Sequence, residues 1–299
     1  MGVSLVDRGL RNYPESFFCE LEKSNAGKGS ATPVAAILIA GTTTPNSLPD
    51  LVIQALILQI ATTHRVALKV IHDKSLFGQK ISEIANQAKQ KPKLLMVAAH
   101  GDPDRMRFRE DHILDRFFQY IFQNKDKKDY CISDVKKSDF SHLDQKEGQI
   151  ILFSCCTGQN LAQKIADVSK LPVLAPKHQP SIATCLVKRP NNKFHMISYG
   201  LGDEQQHVYE FESGKTPKLL PGTFQISKKN GSFSMTVDYV RKQACNGNPI
   251  AQLCMGLFSA YHISDEARTL FWLSTAVEGG NSMAKYLMEF VLKKERAPR

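Results

Sequence analysis

The chain has 299 residues, 42% of them hydrophobic and 23% charged, with a formal net charge of +10 at neutral pH. This composition is typical of a globular protein and excludes disordered and fibrous classes. No run approaches the roughly 20 apolar residues of a transmembrane helix, so no membrane span is predicted. The lysine and arginine excess lies in runs without interleaved aromatic residues, which argues against a nucleic-acid partner.

Cysteine usage and the amino terminus bear on the cellular compartment. The seven cysteines have no metal-ligand spacing, and two are adjacent in sequence; they stand at positions 19, 131, 155, 156, 185, 245 and 254. They are therefore expected to be reduced thiols, with no metal site. The first residues lack the unbroken apolar core of a secretory signal, so a cytoplasmic location is expected.

Along the chain, apolar strands alternate with helical patterns. Residues 1–33 are polar and end in a loop-forming stretch, which predicts a peripheral amino-terminal segment. Residues 34–40 and 66–71 are predicted strands. Residues 49–63 are a predicted helix that is apolar around much of its circumference, and residues 76–89 are a predicted amphipathic helix. This alternation predicts an α/β fold with a mostly parallel sheet covered on both faces.

Two further predicted strands end in residues capable of chemistry. The apolar run 94–99 is followed by His100 and Gly101, and the run 149–153 is followed by Ser-Cys-Cys-Thr-Gly, which contains Cys155. The carboxyl ends of parallel strands share one edge of a sheet, where ligands bind in open α/β folds. The sequence therefore predicts that His100 and Cys155 lie side by side.

After this point the pattern becomes less regular. A helix at residues 160–169 and a strand at residues 173–175 continue the α/β pattern. Residues 194–199 and 207–211 are predicted to form a hairpin that extends the sheet in antiparallel fashion. Residues 214–233 are rich in lysine, glycine and serine and are predicted to be a linker.

The tail from residue 234 to residue 299 has a different character. A set of small residues recurs after 32 or 33 positions, with Ala244, Gly247, Asn248 and Ala251 followed by Ala276, Gly279, Asn281 and Ala284. A period of this length is typical of helix-pair repeats, whose small side chains let neighbouring helices approach closely. The tail is therefore expected to be a small all-α domain.

The residues at the two strand ends are those that a thiol hydrolase needs. Cys155 is a candidate nucleophile, expected directly before a helix whose amino terminus lowers the thiol pKa. His100 is a candidate base that takes the thiol proton and returns it to a leaving amine. The backbone N–H groups of Gly101 and Cys155 are candidate donors to the oxyanion.

This arrangement resembles the clan CD cysteine peptidases, which have the caspase-like fold. Ala-Ala-His-Gly at residues 98–101 and Ser-Cys-Cys-Thr-Gly at residues 154–158 are most similar to the CHAT branch, in which caspases are associated with tetratricopeptides. The resemblance covers residues 34–213 and implies a three-layer sandwich that cleaves peptide bonds through a Cys-His dyad without a cofactor. The tail resembles Sel-one-like repeats, which implies a surface for a protein partner.

The match departs from the family pattern in two ways. The caspase Gln-Ala-Cys motif is absent, so no preference for aspartate is inferred. The second thiol, Cys156, is an alternative nucleophile if the register slips by one residue. Acidic Asp102, Asp203 and Glu204 are candidates for binding a basic substrate residue, and the alternative is that they are solvated loop charges.

The sequence therefore predicts a cysteine peptidase that acts on a protein or peptide substrate, with helical repeats that recruit the substrate or a regulator. The alternatives are a catalytically silent scaffold or interaction protein, and an acyl transferase or deamidase that uses the same dyad. Repeats of this type beside a eukaryote-like peptidase fold also suggest a bacterial effector that acts inside a host cell.

Overall fold

A computed structural model describes residues 5–10, 13–40, 48–108, 129–177, 183–188, 193–199, 208–220, 241–242, 244–259, 265–281, 284–285 and 287–288. The strands in this part of the chain are β1 (Val34–Ala40), β2 (Arg65–Ile71), β3 (Leu94–Ala98), β4 (His100–Asp102), β5 (Arg105–Arg107), β6 (Tyr130–Cys131), β7 (Gln149–Phe153), β8 (Val173–Pro176), β9 (Ala183–Lys188), β10 (Phe194–Tyr199), β11 (Val208–Phe211) and β12 (Lys218–Leu219). The main helices are α1 (Glu15–Ala26), α2 (Leu48–Ala61), α3 (Phe77–Ala88), α4 (Leu161–Ser169), α5 (Pro249–Phe258) and α6 (Glu266–Glu278). None of the helices in these ranges is both long enough and apolar enough to cross a membrane.

The centre of the fold is a mostly parallel sheet of seven strands in the order β2-β1-β3-β7-β8-β11-β12. The first five of these strands run parallel, β11 pairs antiparallel with β8, and β12 pairs antiparallel with β11. This result confirms the predicted α/β class. Two small sheets, β9-β10 and β4-β5-β6, accompany the main one.

The central strands are apolar because both of their faces are covered. All seven residues of β1 are buried, and successive side chains enter different clusters, with Ile37 on one face and Leu38 on the other. The first cluster takes side chains from α1, α2 and the carboxyl-terminal helices, and the second from α3 and α4. Such near-continuous apolar strands are the pattern of a parallel sheet buried on both sides.

The amino-terminal segment differs from the expected peripheral stretch. Helix α1 buries Phe17 and Leu21 completely in the core. The preceding residues extend the sheet, since the N–H of Leu68 in β2 donates to the Leu5 carbonyl at 3.0 Å. The Asn25 side chain exchanges two hydrogen bonds of 2.8 Å with the backbone of Val66. The segment therefore covers the β2 edge, whose backbone groups need partners.

The predicted hairpin of residues 194–199 with residues 207–211 is wrong. Strand β10 instead pairs with β9 over six residues, while β11 joins the main sheet beside β8. Two side-chain amides attach the β9-β10 sheet to the core. The Gln149 amide donates to the Phe194 carbonyl at 2.9 Å and accepts from the Phe194 N–H at 2.8 Å. The Gln59 amide likewise donates to the Leu186 carbonyl and accepts from the Leu186 N–H. Apolar alternation predicts a strand but does not identify its partner.

Part of the predicted linker is also structured. Lys218 and Leu219 form β12, and the N–H of Leu220 donates to the Val208 carbonyl at 3.0 Å. Residues 221–233 of the predicted linker lie outside the described residues.

The carboxyl-terminal helices contain a local geometry that recurs after 33 residues. Gly247 and Gly280 have φ values of +83° and +84°, and each precedes an asparagine whose side chain accepts a hydrogen bond from an N–H three residues later. A glycine with positive φ followed by an asparagine cap is a typical helix stop and restart. Helices α5 and α6 pack closely against each other, since a Cβ atom added to Gly256 of α5 would lie 2.8 Å from the Leu273 side chain of α6.

Candidate functional site

Strand register brings the two predicted chemical segments to one edge of the sheet. Strands β3 and β7 are parallel neighbours, and Ala98 lies opposite Phe153 in their register. The N–H of Ala99 continues the contact by donating to the Phe153 carbonyl at 3.3 Å. His100 and Cys155 each follow these paired positions by two residues. Both therefore leave the carboxyl edge of the sheet from adjacent strands.

Gly101 lies directly against the segment that contains Cys155. A Cβ atom at Gly101 would lie 2.2 Å from Ser154 Oγ, 2.7 Å from the Cys155 carbonyl oxygen and 3.0 Å from Thr157 Cγ2. A separation below 3.0 Å from a backbone oxygen leaves no room for any side chain. This position therefore requires glycine because of the close approach of the two backbone segments.

The hairpin after His100 fixes the orientation of the Gly101 backbone. Strands β4 and β5 pair antiparallel, with Asp102 opposite Arg105 across the two-residue loop and Gly101 opposite Met106. Pairs alternate between hydrogen-bonded and non-hydrogen-bonded, and a two-residue loop is closed by a hydrogen-bonded pair. The Gly101 N–H accordingly points away from β5, which leaves it outside the β4-β5 ladder.

The segment after β7 is a series of turns rather than the start of a helix. Helix α4 begins at Leu161, one residue after its predicted start, so five residues separate Cys155 from the first residue of the helix. The turn is held by the Gly158 N–H, which donates to the Pro176 carbonyl at 2.9 Å, and by Thr157 Oγ1, which donates to the Ser154 carbonyl at 3.0 Å. Cys155 therefore does not belong to the first turn of α4, where a helix dipole acts most strongly.

Both cysteines of the turn are partly exposed as residues, and their backbones differ. Cys155 and Cys156 are each half-buried, and neither forms a disulfide. Cys156 has a φ of +57°, in the left-handed region that costs a non-glycine residue about 1–2 kcal/mol. Ser154 is fully buried, and its Oγ has no hydrogen-bond partner among the residues that the structure describes. Backbone strain and unsatisfied polar atoms concentrate at functional sites.

His100 is exposed and lies on the charged face of the β4-β5 hairpin. It lies directly opposite Arg107 in the antiparallel register, and such opposite residues share one face of a sheet. Gly101 and Met106 occupy the other face, where Met106 is buried. The sequence pattern did not single out Arg107, because its proximity to His100 depends on the hairpin register.

Asp102 is paired within the chain. Arg105 Nε donates to its carboxylate, and Arg107 Nη2 lies 3.5 Å from the same oxygen. Partial burial is the largest single influence and raises the pKa of Asp102, but the hydrogen bonds from Arg105 and from the Asp104 N–H, together with the charges of Arg105 and Arg107, outweigh it, so the pKa lies below its usual value. This carboxylate is therefore already paired with two arginines of its own chain, which disfavours its predicted role in binding a basic substrate residue. The other two acidic candidates, Asp203 and Glu204, lie outside the described residues.

The arrangement provides a partly exposed cysteine, an exposed histidine and a glycine N–H directed out of its hairpin ladder. These are the groups that nucleophilic attack by a thiolate on a carbonyl carbon requires. Within the described ranges, no three His, Cys, Asp or Glu side chains are placed to hold a metal ion.

Comparison with known protein families gives a match to part of the chain. Residues 67–191 match a family described as a domain of unknown function, DUF8616. The matched region runs from β2 to just beyond β9 and contains both His100 and Cys155. Neither the curated proteins nor the solved structures contain a significant match to the chain.

Proposed function

We propose that the chain is a cysteine peptidase of the caspase-like type, with Cys155 as nucleophile and His100 as general base. The observation that carries the proposal is the contact of Gly101 with Ser154 and the Cys155 carbonyl at the shared edge of β3 and β7. This contact joins the His-Gly segment to the Cys segment. The sheet supports the proposal further, because five parallel strands followed by an antiparallel strand are compatible with the expected sandwich.

The proposed reaction proceeds through an acyl-enzyme. His100 accepts the proton of the Cys155 thiol, and the sulfur attacks the carbonyl carbon of the scissile bond. The N–H groups of Gly101 and Cys155 donate to the developing oxyanion, which is the electrostatic contribution usually largest in acyl transfer. His100 then protonates the leaving amine. A water molecule, deprotonated by His100, releases the acid and regenerates the thiol.

The carboxyl-terminal helices are proposed to be Sel-one-like repeats that recruit the substrate or a regulator. The support is the 33-residue recurrence of the Gly-Asn turn, with its positive φ and its asparagine cap. Helix α6 also presents Phe271 with 59% of its surface exposed. A large exposed aromatic side chain is a typical anchor for a protein partner.

The test is labelling of the full chain with a library of peptide ketones that differ in their terminal residue, followed by mass mapping of the modified cysteine. Cys131 is an internal reference, because burial and the nearby Asp134 carboxylate raise the pKa of its thiol. We expect Cys155 to be labelled at least tenfold faster than Cys131. His100→Ala should abolish this difference, while the exposed His72→Ala should preserve it.

Other outcomes of the same experiment favour the alternatives. Labelling of Cys155 no faster than that of Cys131, with no peptide hydrolysis, would overturn the peptidase proposal and favour the silent scaffold. Loss of labelling in Cys156→Ala with retention in Cys155→Ala would transfer the nucleophile role to Cys156. Mass analysis of the products distinguishes these reactions. Hydrolysis divides the peptide with uptake of one water, deamidation releases ammonia from a side-chain amide and leaves the chain intact, and acyl transfer joins the acyl group to an acceptor other than water.

A further inference from the structure

Thr157 lies in the turn that follows β7, two positions after Cys155. Its exposed fraction is 0%, so its side chain cannot touch a substrate. The side chain nevertheless contacts both segments that form the candidate site, through its hydroxyl on one side and its methyl group on the other. An effect of Thr157 on the reaction must therefore act through these neighbours.

The Thr157 hydroxyl holds one end of the peptide unit that supplies a proposed oxyanion donor. Thr157 Oγ1 donates to the Ser154 carbonyl at 3.0 Å. The Ser154 carbonyl and the Cys155 N–H belong to one planar trans peptide, so the two groups point in opposite directions. A carbonyl held on the buried hydroxyl therefore turns the Cys155 N–H to the side away from Thr157.

The Thr157 methyl group lies against the second proposed donor residue. A Cβ atom at Gly101 would lie 3.0 Å from Thr157 Cγ2, which places this methyl group in contact with the glycine backbone. Oγ1 and Cγ2 branch from the same Cβ atom, and this branching makes the side chain stiff at χ1. One side-chain rotamer therefore sets both contacts.

The Thr157 backbone is anchored to two elements of the main fold. The N–H of Ala162 in α4 donates to the Thr157 carbonyl at 2.9 Å, and the adjacent Gly158 N–H donates to the Pro176 carbonyl of β8 at 2.9 Å. The threonine side chain is therefore presented from a part of the turn that is tied to both a helix and the sheet.

We propose that Thr157 is a positioning residue that aligns the two proposed oxyanion donors, the N–H groups of Gly101 and Cys155. The inference rests on the proposed function, in which these N–H groups bind the oxyanion. Donors that are aligned in advance stabilise the oxyanion without reorganisation during the reaction. Removal of one such donor slows acyl transfer by about 10²–10³-fold, so misalignment of the Cys155 N–H should cost at least about tenfold.

The experiment compares two reagents on Cys155 of the full chain, with the modified cysteine identified by mass mapping. A peptide ketone accepts the thiolate at its carbonyl carbon, and the carbonyl electron pair becomes an oxyanion that then takes up a proton. Iodoacetamide instead forms the sulfur–carbon bond by direct displacement of iodide, so no oxyanion develops. The ratio of the two labelling rates therefore reports on the donors and not on the thiol alone.

Thr157→Val retains the shape of the side chain and removes the hydroxyl. It should slow ketone labelling at least about tenfold and change iodoacetamide labelling less than about threefold. Thr157→Ser retains the hydroxyl and should stay within about threefold of the parent with the ketone. Thr62→Val is the matched control, because the Thr62 hydroxyl also donates to a carbonyl three residues earlier, that of Gln59 at 2.7 Å. Both of its rates should equal those of the parent.

The parent protein separates the two ways in which the experiment can fail. Ketone labelling of parent Cys155 no faster than that of Cys131 would overturn the proposed function, and the role of Thr157 with it. With a reactive parent, equal ketone rates in Thr157→Val and Thr62→Val would overturn the positioning role alone. Equal losses with both reagents would also overturn it, since general damage to the turn would then explain the result. A Thr157→Ser protein as slow as Thr157→Val would show that the hydroxyl does not act.

Discussion

The two ends of the parallel sheet are constructed differently. At the carboxyl end, backbone segments lie in direct contact: Gly101 lies against the Cys155 carbonyl, and the Gly158 N–H donates to Pro176. At the amino end, a side chain makes the connection, since Gln149 bonds both backbone groups of Phe194, and a cavity of about 240 Å³ remains open beside it.

This difference indicates how each end responds to change. Added atoms at the carboxyl end overlap with backbone that cannot move away, so steric overlap dominates there. At the amino end, removed atoms leave buried backbone groups without hydrogen-bond partners. A parallel sheet can therefore hold a strained, close-packed site at one edge and an open cavity at the other.

The largest effect is expected at the amino end, for Gln149→Ala. The substitution leaves the buried N–H and carbonyl of Phe194 without their partner, at about 1–3 kcal/mol each, and we expect a loss of about 4 kcal/mol in the free energy of unfolding by urea titration. The control is the exposed Gln145→Ala, whose loss should stay below about 1 kcal/mol. A Gln149→Ala protein within 1 kcal/mol of the parent would contradict the proposed role of the side-chain amide.

At the carboxyl end, Gly101→Ala should destabilise the protein by about 3 kcal/mol, because its Cβ overlaps Ser154 Oγ and the Cys155 carbonyl. Ketone labelling of Cys155 should fall at least tenfold, since the two segments must separate. Gly29→Ala is the matched control, because its Cβ would meet nothing within 4 Å. Equal stability of the two variants would show that the segments are not in contact.

A smaller effect, in this case a gain in stability, is expected when glycine replaces Cys156. Glycine adopts a φ of +57° without steric cost, so Cys156→Gly should be about 1 kcal/mol more stable than Cys156→Ala in urea denaturation. The same effect can be tested at the ends of α3 and α4, where Lys89 and Lys170 have φ values of +51° and +63°. At each position the glycine variant should be more stable than the alanine variant. No difference between the two Cys156 variants would exclude strain in this turn.

The smallest effect is expected for Asp102→Asn. The folded-state pKa of Asp102 is lowered, so its stabilising contribution is present above the unfolded pKa of about 3.9 and is lost as pH falls through the folded value. The variant should be less stable than the parent by no more than about 1 kcal/mol at pH 7, and the two stabilities should converge as the pH falls below the folded-state pKa of Asp102. The control is Glu20→Gln at an exposed position, which should leave the free energy of unfolding unchanged at neutral and at acidic pH. A stability difference between Asp102→Asn and the parent that stays constant from neutral to acidic pH would contradict the lowered pKa.

Local sequence patterns were sufficient for the elements nearest the candidate site. The runs that form β3 and β7 were predicted to within one residue, because strands buried on both faces must be continuously apolar. The order of His100 and Cys155 after these runs also indicated that the two residues share an edge. The dyad itself stays a prediction. The small β4-β5-β6 sheet was not predicted, because its strands have only two or three residues and no clear period.

By itself, the sequence determined the fold class and the position of the central strands, since each depends on the periodicity of neighbouring residues. Only the tertiary structure decided which strand pairs with β10, how α1 and Asn25 cover the edge of β2, and which arginines neutralise Asp102. These outcomes depend on contacts between residues distant in the chain. Hydrophobic periodicity specifies that a face is buried, but the partner is chosen by register, by hydrogen-bond satisfaction and by the space that the rest of the fold leaves.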